Sequence, residues 1–152
     1  MNVDYEIYAE SEALLGWLNA TVQLSGSLPF QANTVLESIA ADVQSRLSGS
    51  EIAHFKMTLS PDSGLGYIAV INVVRNDIIP ELSLSLEAPV TNAQLIINLR
   101  AEAAPEVLRD AVRDAIASAN SDALAAQLEH LEFFRPGKPV PTHRITDLTT
   151  YG

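Results

Sequence analysis

The chain has 152 residues, enough for one domain with its own core and no metal or disulfide staple. Its 19 acidic against 9 basic side chains give a formal net charge of -10, which sets it against phosphate backbones and anionic membranes as partners. It has no cysteine, so disulfides, thiolate nucleophiles and cysteine-ligated metals are excluded together.

The opening stretch, MNVDYEIYAESEALLGWLN, is acidic and lacks a basic segment followed by a long apolar run, so no signal peptide is expected. No stretch approaches the ~20 apolar residues of a membrane span. A cytoplasmic location is the expectation. WLNATVQL (17–24) alternates and predicts a strand. Leu36, Ile39, Ala40, Val43 and Leu47 then recur at three- and four-residue steps, predicting a helix. Thr34 and Glu37 have capping-box spacing at its start, and Gly49 is a stop. IAHFKMTL (52–59) predicts a strand, and the PDSG turn after it makes a hairpin with YIAVINVV (67–74). LSLSL (82–86) is a short alternating run flanked by prolines.

QLIINLRA (94–101) predicts the strand before a second helix, whose stripe is Leu108, Ala111, Val112, Ala115, Ile116 and Ala119. Pro105 and Glu106 suit its first turn and Asn120 its end. QLEHLEFF (127–134) predicts a last strand. RPGKPVPTHR (135–144) carries three prolines, which forbid a helix and favour an extended arm. The chain thus divides into one domain over residues 1–134 and a proline-rich arm over 135–152.

The element order predicts an α+β two-layer sandwich of ferredoxin-like character. It has two strand–helix–strand halves, an extra central strand, and both helices on one face of the sheet. The halves can be laid on each other. Leu18-Asn19-Ala20-Thr21 matches Ile97-Asn98-Leu99-Arg100, and Ile52-Ala53-His54-Phe55-Lys56-Met57 matches Leu128-Glu129-His130-Leu131-Glu132-Phe133. Alternation sends Leu18, Ala20, Val22, Leu24, Ala53, Phe55, Met57, Leu59, Leu95, Ile97, Leu99, Leu131 and Phe133 toward the helices. It leaves Trp17, Asn19, Thr21, His54, Lys56, Asn98, Arg100, His130, Glu132 and Phe134 on the other face. A face that mixes aromatics with amides and imidazoles suits a ligand or a second subunit. A sheet that wets its second face gives the same alternation with no function attached.

Catalytic signatures are missing. There is no GxxxxGK[ST] loop, no GxSxG elbow and no HExxH, and Ser63-Gly64-Leu65-Gly66 fits a hairpin turn. Asp110 and Asp114, beside Arg109 and Arg113, have the spacing of a solvated helix surface. The ligand-binding set on the open face is Trp17, Asn19, His54, Asn98, Arg100 and His130. His54, His130 and Glu132 are the weak metal candidates, since imidazole and carboxylate are zinc ligands, but spacing alone shows no convergence. The basic arm, with Arg135, Lys138, His143 and Arg144, is a docking strip on an acidic body.

EALLGWLNATV, IAHFKMTL, LIINLRAEA and LEHLEFFRPGKPVPTHR together resemble the C-terminal part of CobW-like GTPases, a group concerned with metal insertion and cobalamin synthesis. The FRPGKPVPTHR tail is the sharpest element of the resemblance. In that family the nucleotide chemistry belongs to a separate P-loop domain, so no GTPase residue carries over. The resemblance implies an accessory domain that docks a GTPase, a metalloprotein or a cobalamin-related partner. The residues themselves predict a non-enzymatic interaction or ligand-binding module, a homo-oligomer or a protein partner, and no resident cofactor. The alternative is a small enzyme or metal carrier working from the open face.

Overall fold

The structure is a computed structural model and describes residues 15–63 and 65–136. Lys138, His143 and Arg144 of the arm lie outside the described residues. Eight elements follow in order: β1 (Leu15–Phe30), α1 (Ala32–Arg46), β2 (Glu51–Pro61), β3 (Ala69–Val73), β4 (Glu81–Leu84), β5 (Val90–Glu102), α2 (Pro105–Ser118) and β6 (Leu124–Phe134). The six strands form one antiparallel sheet in the order β4-β3-β2-β5-β1-β6. β5 runs between β1 and β2, and β1 runs between β5 and β6. Each strand–helix–strand half is therefore split by a strand of the other, and the two halves interlock. The β3–β4 segment extends the sheet beyond β2.

Both helices cover one face, giving the α+β two-layer sandwich that the element order predicts. The layer between them is closed by Leu18, Val22, Leu24, Phe55, Met57, Leu59, Leu95, Ile97 and Leu99 from the sheet, all essentially inaccessible. Leu36, Ile39 and Val43 of α1 and Leu108, Val112 and Ile116 of α2 meet them. Both helical stripes are those read from the periodicity. Phe133 is only partly buried: it lies near the end of an edge strand, where the Arg109 guanidinium lies 5.3 Å from its ring centroid.

Three local expectations are corrected. The Thr34–Glu37 capping box does not form. α1 begins at Ala32, so both residues lie inside the helix, and its N-cap, Gln31, makes no side-chain cap. α1 ends before Gly49, with its C-cap at Leu47. Ala53 is exposed and Ile52 is buried in its place. The cause is a bulge: Ile52 pairs with Ala101 and His54 with Arg100, so Ala53 is an unpaired extra residue and the alternation changes phase there.

The same irregularity recurs in β6. Val22 pairs with Leu128 and Thr21 with His130, leaving Glu129 as the extra residue. Ala53 and Glu129 are matched positions of the two halves. The ladders obey the same correspondence throughout. Asn19 pairs with Asn98, Leu18 with Leu99, and Ala20 with Ile97, as a two-fold relation through the asparagine pair requires. Lys56 pairs with Asn98 as Glu132 pairs with Asn19, and Phe55 with Leu99 as Leu131 with Ala20. The internal repeat is thus present in register and in bulge position, not only in residue type.

Candidate functional site

No described element lies over the face of the sheet opposite the helices. Its side chains form rows across β2, β5, β1 and β6, fixed by the register. One row is His54, Arg100, Trp17 and Phe134; the next is Lys56, Asn98, Asn19 and Glu132; the third is Thr58, Ile96, Thr21 and His130. All except Ile96 are half-buried, because neighbours on a flat pleated face shade one another.

Within the first two rows lies a hollow of about 280 Å³ lined by Trp17, Asn19, His54, Asn98, Leu99 and Arg100; Lys56, Phe134 and Glu132 stand outside its lining. Five of the six residues read from the sequence as a ligand set therefore converge. The sixth, His130, does not: it sits three strands from His54 and in a different row. Three steps at ~4.8 Å place the two imidazoles at least ~14 Å apart, whereas one metal ion needs every ligand within ~2.3 Å of it. His54 and His130 cannot share an ion. Among the described residues no group of three His, Asp or Glu side chains is placed to hold one.

The electrostatics of the hollow follow from its makeup. The Arg100 guanidinium carbon stands 4.8 Å from the centroid of the Trp17 ring, a cation–π contact. Trp17 in turn packs on Phe134, with centroids 5.9 Å apart and planes at 38°. The Trp17 indole nitrogen is buried and has no hydrogen-bond partner among the described residues. Burial holds the His54 imidazole below its ordinary pKa, and the cations Arg100 and Lys56 add to the effect. His54 is therefore neutral at pH 7.

On the opposite half, His130 Nε2 lies 3.4 Å from Glu132 Oε2, while His130 Nδ1 is buried without a partner. Thr21 is His130's cross-strand neighbour, so Thr, His and Glu stand side by side. The unpartnered Nδ1 means that the imidazole does not hold the Thr21 hydroxyl, and a nucleophile–base relay is not assembled there.

Sequence reasoning missed a larger hollow, about 760 Å³, at the far end of the sheet. Leu65 and Tyr67 after the β2 turn and Leu86, Pro89 and Val90 before β5 give it an apolar lining. Two exposed apolar residues straight after a PDSG turn were the available signal. Asp62 and Glu87 are its charged groups, and Asp62 already accepts a hydrogen bond from Gln23 Nε2 at 3.0 Å. Its other polar side chains are Ser63, Tyr67, Ser85, Thr91 and Asn92, and among the described residues no cation lines it.

Comparison with known protein families, with curated proteins and with solved structures finds no match to the chain. No helix among the described residues is long and apolar enough to cross a membrane.

Proposed function

We propose that the chain is a non-enzymatic binding module whose working surface is the open face of the sheet. The observation that carries this reading is convergence: Trp17, Asn19, His54, Asn98 and Arg100, from three strands, line one hollow. A face that was merely wetted would have no reason to bury an indole N–H without a partner, a loss of roughly 1–3 kcal/mol. The interlocked order of β6, β1, β5 and β2 supports assigning the scaffold to the ferredoxin-like type. The resemblance to the C-terminal part of CobW-like GTPases supports an accessory role beside a GTPase or a metalloprotein, in the cytoplasm. The apolar members of the face, Trp17, Ile96 and Phe134, also suit a second copy of the chain.

Native mass spectrometry of the purified chain and of its Asn98→Leu variant tests the reading, because it weighs bound small molecules, bound metal and copy number together. A ligand or second copy carried by the wild type and lost in the variant is the expected result. A bare monomer in both would remove the support for a binding face. One metal ion per chain, lost on replacing His54 or His130, would favour a metal carrier instead.

A further inference from the structure

Lys56 and Arg100 stand out on a chain whose net charge is -10. Both are half-buried, they occupy neighbouring rows on adjacent strands, and both face the side of the sheet away from the helices. Arg46, Arg75 and Arg109 are each paired with an aspartate. Neither Lys56 nor Arg100 forms an ion pair with a described carboxylate. The nearest acid along β5, Glu102, is exposed at the strand end, and Glu132 lies three strands from Lys56. In so acidic a protein, two shaded cations without a carboxylate among the described residues are poised for an anion from outside.

The rest of the hollow agrees. Asn19 and Asn98 offer amide N–H groups, and the buried Trp17 indole N–H has no acceptor among the described residues. Among the described residues no carboxylate lines the hollow. Its walls also include the Trp17 ring and Leu99, so the space suits an anionic group joined to a small apolar or planar body. At about 280 Å³ it falls just short of the ~300 Å³ at which drug-sized pockets begin, which restricts the ligand to a small one.

The internal repeat supplies a control within the same molecule. The matched positions of Arg100, Trp17 and Lys56 are Thr21, Ile96 and Glu132. The two half-faces share a backbone register and differ in charge. At the matched positions only one of them carries cations.

We infer that the hollow between β2, β5 and β1 binds a small organic anion, a carboxylate or a phosphate monoester, held by Arg100, with Lys56 beside the hollow as a second positive charge and Trp17 against its apolar part. This assignment rests on the open face being the working surface. Arg100 takes the anionic oxygens through its planar fork, Lys56 supplies a second charge, and the asparagine amides complete the donor set.

Trp17 is the chain's only tryptophan, so its emission reports the site directly. Titrate the full chain with benzoate, with phenyl phosphate and with benzylamine at constant ionic strength. Repeat the titrations with Arg100→Gln, Lys56→Gln and, as the control on the other half, Thr21→Val. Circular dichroism checks that each variant is folded. The expected result is a saturable change with at least one of the two anions and none with benzylamine. Affinity should fall about tenfold or more in R100Q and K56Q, and T21V should match the wild type. Comparing benzoate with phenyl phosphate separates a carboxylate from a phosphate ligand. No saturation by either anion up to about 10 mM, a weakness beyond that of ordinary specific sites, would overturn the assignment. So would equal binding in R100Q and K56Q, or equal binding of benzylamine. If no anion binds while Asn98→Leu still releases a bound species in the native mass spectrum, the face keeps its role and only the anion assignment fails.

Discussion

The two halves of this protein share a scaffold and diverge in what they display. β1-α1-β2 and β5-α2-β6 have matching registers and a bulge at the matching residue, Ala53 in one and Glu129 in the other. Toward the helices their side chains stay apolar, with Phe55 facing the role of Leu131. Away from the helices one half carries His54, Lys56 and Arg100, and the other His130, Glu132 and Thr21. The packed side has to satisfy a dense interior, where any change of volume is felt. The open side has no such constraint, and its chemistry is where the halves differ.

The largest expected effect is on the packed side. Phe55→Ala should cost about 3–5 kcal/mol, because Phe55 is 1% exposed and leaves a cavity in the core. Leu131→Ala, at the matched position but on an edge strand, should cost about 2–4 kcal/mol. Urea denaturation of both variants checks the order. A loss under ~1 kcal/mol for Phe55→Ala would mean that the two halves are not packed alike.

The corners where each helix turns into its strand sharpen the comparison. In the second half Asn120 does the work locally. Its Nδ2 donates to Ile116 O at 3.1 Å and to Ala126 O at 3.0 Å, and its Oδ1 accepts from Ala126 N at 2.9 Å. In the first half the asparagine comes from the inserted segment after β3: Asn76 Nδ2 donates to Leu47 O at 2.9 Å, and Asn76 Oδ1 accepts from Ile52 N at 2.8 Å. Both satisfy backbone groups that the helix end and strand start leave without partners. Asn120→Ala and Asn76→Ala should each cost about 1–3 kcal/mol in the same denaturation measurement. Asn76→Ala alone should also loosen β3 and β4, seen as faster amide exchange in those strands. Equal exchange in both variants would mean that the insert is held by other contacts, such as the Gln44 Nε2 bonds to Arg75 O and Ile78 O.

Much of this was legible in the sequence, and the misses have physical causes. Helical stripes and strand alternation located every described element, because burial on one face imposes the period. The matched asparagines and histidines located the open face and five of the residues that line its hollow. Alternation failed at Ala53, since a bulge inserts a residue without leaving a turn signal. It placed His54 and His130 on one face but not their distance, which depends on strand order. That order is set by crossovers joining residues far apart in the chain. The capping box at Thr34 failed because the helix starts two residues earlier, on Ala32. The Asn76 clasp could not be read at all, because its partners lie 29 and 24 residues away.

The smallest expected effect falls on His54, which is matched in register to His130 and has cations rather than a carboxylate beside it. His54 is held below its ordinary pKa by burial first, then by Arg100 and Lys56. The acids near it, Glu51 on its own strand and Glu102 on β5, are exposed at the strand ends. A folded-state pKa below the unfolded value of about 6.5 means that the unfolded chain takes up the proton first. Stability from this group is therefore fully present above pH ~6.5 and is lost as pH falls through the lowered folded-state value. His54→Gln cannot take up a proton, so it should lose less stability than the wild type between pH 7.5 and pH 5. Urea denaturation of both at the two pH values, compared as a difference, isolates the contribution from the other titrating groups. Equal loss of stability in the wild type and in His54→Gln would show that burial and the two cations do not perturb the His54 imidazole.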